Sequence, residues 1–203
     1  EYLAARDNKL YTMARIPFRE VPWLVKYTES RDLWRWNLPH SKEVDAWLRT
    51  HPLDFELWDS FSKIERGSTA WTGLLIEGGA ILRRERQIID DHIKHAREIE
   101  MNGHKILVVN ATVLFSEIAG ELAALPCQRC LLERQAGLED DGGSVCSLCN
   151  GTGKRPFGAC YFDRQDGKRQ WSLRSTEGGV DVSKIARKRG GGGHKQSAGF
   201  TEK

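Results

Sequence analysis

Four consecutive glycines, Gly190, Gly191, Gly192 and Gly193, run directly into His194-Lys195 and then into Gln196-Ser197-Ala198-Gly199-Phe200. Without side chains the main chain is open to direct approach by a ligand, and glycine accepts the positive φ angles that other residues resist. Successive N–H groups in such a turn form a concave nest for an anion. His194 then stands at the rim as a hydrogen-bond donor, and Lys195 adds charge. A bare glycine run also suits a flexible linker. A linker is not usually followed at once by an imidazole and a strand of small residues, so the stretch is read as a solvent-facing, anion-binding loop.

This string resembles the glycine–histidine signature of the DHH (Asp-His-His) phosphoesterase superfamily, in its C-terminal DHH-associated domain. Upstream, Trp171 to Ser175 and Val180 to Ala186 resemble the strand and helix that precede that loop. Tyr27 to Trp36 resembles the end of the catalytic domain in one bacterial branch. The similarity spans most of the chain outside residues 126–156. It implies that Gly190 to Gly193, His194 and Arg174 hold the phosphate of a nucleotide or a single-stranded oligonucleotide, while manganese bound elsewhere activates water. The chain departs from the family by carrying none of its catalytic Asp motifs and no Asp-His-His triplet. Asp90-Asp91-His92 sits among Ile81, Leu82, Ile88, Ile89, Ile93 and Ile99 at helical spacing, and reads as a solvated helix face. The sequence opens at Glu1-Tyr2-Leu3 without a methionine. The catalytic half is therefore expected upstream or on a separate chain.

The balance of 31 Lys and Arg against 28 Asp and Glu gives a net charge of +3, too mild to indicate nucleic-acid binding by itself. Hydrophobic residues make up 39%, enough for a core in one or two domains. No apolar run approaches the roughly 20 residues a membrane helix needs. A cytoplasmic location with no membrane partner is the expectation.

Cys127-Gln128-Arg129-Cys130 and Cys146-Ser147-Leu148-Cys149 form two CxxC pairs separated by 15 residues. That spacing matches a tetrahedral four-thiolate zinc site, whose closed coordination sphere makes it structural. Disulfides are the alternative, disfavoured where cytosolic thiols stay reduced. Gly151 and Gly153 suit a backbone curling around the metal. The module interrupts a surface connection as a small zinc-ribbon-like insertion, with Arg129, Arg134, Lys154 and Arg155 opposed by Glu139-Asp140-Asp141. The fifth cysteine, Cys160, reads as a packing residue on a strand.

The expected fold is α/β. Residues 1–78 form a mainly helical remnant of the catalytic domain, and 79–103 a connector helix ending at Gly103. Residues 104–203 form a mixed-sheet substrate-binding domain, with the zinc module inserted at 126–156. Within the remnant, a helix over Lys42 to Arg49 is expected to begin at a Ser41 cap. The apolar run from Lys105 to Asn110 suits a strand buried on both faces. Asn110 ends that strand, where α/β folds place ligand contacts. Ser116 fits either a phosphate contact or the N-cap of the helix over 114–125. Arg174 is either a bidentate phosphate ligand or a solvated strand residue. Asp32 is either the last metal-binding Asp of the catalytic domain or an ion-pair partner of Arg31 or Arg35. The leading reading is the substrate-binding portion of a metal-dependent phosphodiesterase or phosphatase. Its rival is a non-catalytic, zinc-containing nucleic-acid-binding module.

Overall fold

The computed structural model describes residues 21–33, 35–136, 146, 148–149 and 151–203. Glu1 to Leu3, Trp34, the acidic run Glu139 to Asp141, Ser147 and Asn150 lie outside the described residues. The chain divides into two compact units, Glu1–Arg84 and Glu85–Lys203.

The first unit is helical: α1 (Trp23–Asp32), α2 (Ser41–Leu48), α3 (Phe55–Ser62) and the first part of α4 (Thr69–Lys94). Asp54 caps α3, its carboxylate accepting the Leu57 N–H at 2.8 Å. Ser41, expected as the cap of α2, is instead buried within its first turn. His40 occupies the cap position at φ 58°, without a capping side chain. The apolar stripes of these helices gather Leu24, Tyr27, Val44, Trp47, Phe61, Trp71 and Leu74 into one core. Trp23 and Trp71 meet edge to face at 5.0 Å, the geometry their ring quadrupoles favour.

The long helix begins and ends earlier than its sequence pattern predicts. Helix α4 stops at Lys94, and Arg97–Met101 is strand β1, paired antiparallel with β2 (His104–Asn110). Asn102 (φ 54°) and Gly103 (φ 77°) form the tight turn between them, so Gly103 closes a hairpin and not a helix. The sheet consequently starts at Arg97, ahead of the expected boundary at 104.

The second unit is built on a six-stranded mixed sheet in the order β1-β2-β3-β4-β6-β5. Strands β2 and β3 (Gly158–Asp163) are parallel, and every other neighbouring pair is antiparallel. The crossover between β2 and β3 carries α5 (Phe115–Ala124), then α6 (Gln128–Gln135) and the cysteine pairs. Strand β4 (Arg169–Arg174) follows β3 through a turn where Gly167 has φ 76°. Helix α7 (Val182–Lys188) leads to β5 (Gly192–His194) and β6 (Ser197–Glu202).

Pleating sends alternate residues to two layers. Ile106, Val108, Ala159, Trp171, Leu173, Ala198 and Phe200 pack with Val182, Ile185 and Ala186 of α7. On the other face Val109 and Cys160 pack with Ile118, Ala119 and Leu122 of α5 and with Ile89 near the end of α4. Strand β2 is thus buried on both faces, as its continuous apolar run predicts. Helix α5 lies over β2, β3 and β4, whereas α7 lies on β5 and β6. The face of β5 and β6 turned away from α7 therefore has no helix packed on it among the described residues.

The glycine run is the main departure from expectation. Gly190 and Gly191 are turn and irregular chain, but Gly192 to His194 form an edge strand paired with Ser197 to Gly199, so the second half of the run is not a loop. Strand β6 supplies partners for backbone groups that a solvent-facing loop would leave to water or ligand. Lys195 and Gln196 make the turn, their carbonyls accepting from Val182 N (3.0 Å) and Ser175 N (3.1 Å).

Candidate functional site

The strand register gathers several of the residues that the sequence singles out. Gly158 opposes Arg174, Arg174 opposes Ser197, and Ser197 opposes His194, forming one row across four strands. Side chains directly opposite one another on neighbouring strands share a face, here the α5 face. The next row on that face holds Cys160, Ser172, Gly199 and Gly192. Arg174 stands where the cover of α5 ends, while His194 is exposed at the uncovered edge.

Arg174 is half-buried, and its partners are neutral oxygens. It donates to Ser116 Oγ at 2.7 Å, to the Leu173 carbonyl at 2.9 Å and to Ser172 Oγ at 3.3 Å. No carboxylate lies within ion-pair distance of it among the described residues; Glu117 acts on it only through space. Burial pulls the guanidinium below its ordinary pKa, and Glu117 and Cys160 offset part of that effect. A cation taken partly out of water without a counter-ion favours binding an anion. Ser116 holds Arg174 and is not a helix cap: Leu114, at φ 48°, occupies the cap position of α5 without a side-chain bond.

The other expected contacts are placed differently. Asn110 is exposed at the end of β2 and opposes Tyr161, three residues along β3 from Gly158, so it stands apart from the Arg174 row. Asp32, the last residue of α1, pairs with Arg31 at 3.1 Å. It lines a cleft of about 420 Å³ in the first unit together with Arg31, Asp45, Arg49 and His51. Asp45, largely buried there, is shared by Arg31 (3.4 Å) and Arg49 (2.9 Å). Sequence reasoning missed Ser172, Ser197 and Gly199 as members of the Arg174 face. The signal lay in the i, i+2 spacing of Ser172 with Arg174 and of Ser197 with Gly199, which puts each pair on one side of a strand.

The four cysteines of the insertion come together, with their Sγ atoms all within 4.8 Å of one another. Cys127 and Cys146 are 3.9 Å apart, and Cys130 and Cys149 are 3.6 Å apart. A disulfide would need about 2.05 Å. A tetrahedral ion with metal–sulfur bonds of about 2.3 Å needs sulfurs about 3.8 Å apart, so the cluster fits a metal such as zinc. Burial opposes ionisation of Cys146, but hydrogen bonds from the backbone N–H groups of Leu148 and Cys149, together with those from the Cys130 and Cys149 thiols, outweigh it and bring that thiol down to about 7. Burial pushes Cys127 and Cys130 up. The insertion closes at its neck, where Cys127 N donates to Gly153 O (2.8 Å) and Arg155 N donates to Leu125 O (3.0 Å). Cys160 lies apart from the cluster, in the core against α5, and burial raises its thiol to about 12.

No protein-family model matches the chain. The chain is similar to the uncharacterized protein R106 of Acanthamoeba polyphaga mimivirus. The two are 25% identical over 192 residues, covering 91% of this chain and 38% of that protein. The chain thus spans little more than a third of that relative's length. Among solved structures it is similar to a pGpG-specific phosphodiesterase from Vibrio cholerae, with a TM-score of 0.36 and 12% identity over 93% of this chain and 63% of that one. It is also similar to an uncharacterized protein from Helicobacter pylori G27, with a TM-score of 0.29 and 16% identity over 88% of this chain and 53% of that one. No helix among the described residues is long and apolar enough to cross a membrane.

Proposed function

We propose that this chain is the substrate-binding portion of a metal-dependent phosphoesterase that acts on nucleotides or short oligonucleotides. The observation that carries this reading is Arg174: a half-buried guanidinium with neutral partners only, in the same row and on the same open sheet face as His194. A phosphate monoester or diester supplies the missing negative charge. Arg174 would contact it through its fork, with His194 and Ser197 as further hydrogen-bonding groups. Holding the phosphate here positions the scissile bond for chemistry performed by the catalytic half, which the resemblance to the DHH superfamily assigns to manganese. Residues 1–78 are the end of that catalytic half in this reading, with Asp32 as its last metal-binding carboxylate. Asn110 has no place on the Arg174 face.

The thiolate cluster is proposed as a structural zinc site. Four protein ligands close the coordination sphere and leave no position for substrate or water. It supports the fold of the insertion and takes no part in hydrolysis.

The test is titration of the chain with nucleoside 5′-phosphates. Arg174→Ala is expected to weaken binding about ten- to a hundred-fold, the effect of losing a charge-assisted contact of about 1.5–3 kcal/mol. Unchanged affinity in a folded Arg174→Ala protein would reject the site. With a manganese-supported phosphodiesterase assay, the chain alone is expected to be inactive, and activity is expected only where the catalytic half accompanies it.

A further inference from the structure

The loop between β4 and α7, residues 175–181, runs between the cysteine insertion and the β5–β6 turn. That turn holds its two ends: Ser175 N donates to the Gln196 carbonyl at 3.1 Å, and Val182 N donates to the Lys195 carbonyl at 3.0 Å. Arg174 immediately precedes the loop, and His194 and Ser197 flank the turn. The middle of the loop is a tight turn in which Gly179 N donates to the Thr176 carbonyl (2.9 Å) and Gly178 takes φ 75°. Glu177 and Gly178 are exposed, and Val180 is half-buried. A segment with so little buried apolar surface opens at low cost unless something outside it holds it.

The neck of the insertion holds it at two points. The Pro156 carbonyl accepts from Val180 N at 3.4 Å. Thr152 stands against Gly178, its methyl carbon 3.5 Å from where a Cβ on that glycine would sit. The N–H and the hydroxyl of Thr152 both donate to the Cys149 carbonyl, at 3.1 Å and 2.8 Å. Pro156 therefore anchors the loop from the sheet side of the neck, and Thr152 anchors it from the thiolate knuckle. Among the described residues, the buried side-chain polar atoms without a hydrogen-bond partner are Arg155 Nε in the neck and Thr176 Oγ1 in the loop. Unsatisfied buried groups disfavour such packing, so the shape of the insertion has to maintain it.

We infer that the cysteine module positions the β4–α7 loop through Thr152 and, through the loop, the Arg174–His194 row, so that a metal ordering the knuckle tightens phosphate binding at that row. This rests on the phosphate reading of the row. Thr152 is then a positioning residue that touches neither the metal nor the phosphate. The coupling is reciprocal: bound phosphate also tightens the metal.

The experiment compares the zinc-loaded full chain, the same chain stripped of zinc by a chelator, and zinc-loaded Thr152→Ala and Thr152→Ser. Each is titrated calorimetrically with inorganic phosphate, and amide exchange is followed residue by residue. Thr152→Ala leaves the four thiolates in place and is expected to retain zinc and the protection of β2 to β4. Phosphate affinity is expected to fall about fivefold in the stripped chain and in Thr152→Ala, with faster exchange of the Gly179 N–H. Thr152→Ser keeps the hydroxyl on Cys149 and should fall between parent and alanine variant. Phosphate affinity and Gly179 exchange equal to the parent's, in both the stripped chain and Thr152→Ala, overturn the inference and leave the phosphate reading standing. Loss of zinc or of sheet protection in both Thr152 variants also overturns it, by making Thr152 a residue of the fold alone. If the zinc-loaded parent binds no phosphate, the phosphate reading fails, and Gly179 exchange alone decides whether the module holds the loop.

Discussion

Replacing Cys149 by serine tests whether the insertion depends on a metal. Helix α6 has eight residues and buries none of them. An isolated helix shorter than about 12–15 residues is marginal in water. The deepest anchors of the described insertion are two of the cysteines themselves, Cys127 and Cys149, at 2% and 4% exposure. Zinc bound by four such thiolates contributes about 10–16 kcal/mol of apparent free energy at neutral pH, and no core in the described part of the insertion can replace it. Cys149→Ser should therefore release the ion and melt α6. The sheet should persist, because its two core layers use none of the four ligands and the neck closes through backbone hydrogen bonds. Elemental analysis of protein purified under reducing conditions, without chelators, should give one zinc per parent chain and none in the variant. Hydrogen exchange should show protection lost over residues 128–135 and kept in β2 to β4. Metal-free parent protein with α6 still protected would refute the reasoning, as would one zinc retained by the variant.

Arg174→Met should leave stability within about 1.5 kcal/mol, because three hydrogen bonds are lost while the desolvation cost of a buried charge is removed. Thermal melting checks this, and a fall of more than about 10 °C would make Arg174 a structural residue. Gly191→Ala should lower the melting temperature, unlike substitution at Gly192, because its Cβ would be driven into the Gly199 carbonyl and Phe200. Asp181 accepts from the Ser183 N–H (3.1 Å) and hydroxyl (2.6 Å) at the start of α7, and those bonds hold its carboxyl below the ordinary value of 3.8. A depressed carboxylate stabilises the folded state fully above its unfolded pKa and loses that contribution as pH falls through its folded pKa. The protection factors of the α7 amides, exchange rates corrected for the intrinsic pH dependence, should fall below about pH 4 in the parent, and Asp181→Ala should show the lower protection already at neutral pH.

What the sequence made legible was local. The continuous apolar run of β2 and the Asp166-Gly167 turn between β3 and β4 each carry their signal within a few residues. The two CxxC pairs likewise identify their cluster, since tetrahedral thiolate coordination tolerates few spacings. The end of α4 was hidden because Ile88, Ile89, Ile93 and Ile99 keep a spacing compatible with one helix. The strand beyond is marked only by the alternation from Arg97 to Met101 and by Asn102-Gly103. The glycine run misled for a different reason. Its conformation is set by pairing with β6, and a glycine has no side chain to record that partner. Ser116 could not be resolved locally either, since its role is fixed by Arg174, 58 residues away.

The most direct test of the central claim is to map, residue by residue, where phosphate binds. In an isotope-labelled chain titrated with inorganic phosphate, the account predicts shifts at the Arg174 side-chain N–H, His194, Ser197 and Ser116. The cleft lined by Arg31 and Arg49 should remain unchanged. Shifts confined to that cleft, or scattered over surface lysines with no change at Arg174 and His194, would contradict it.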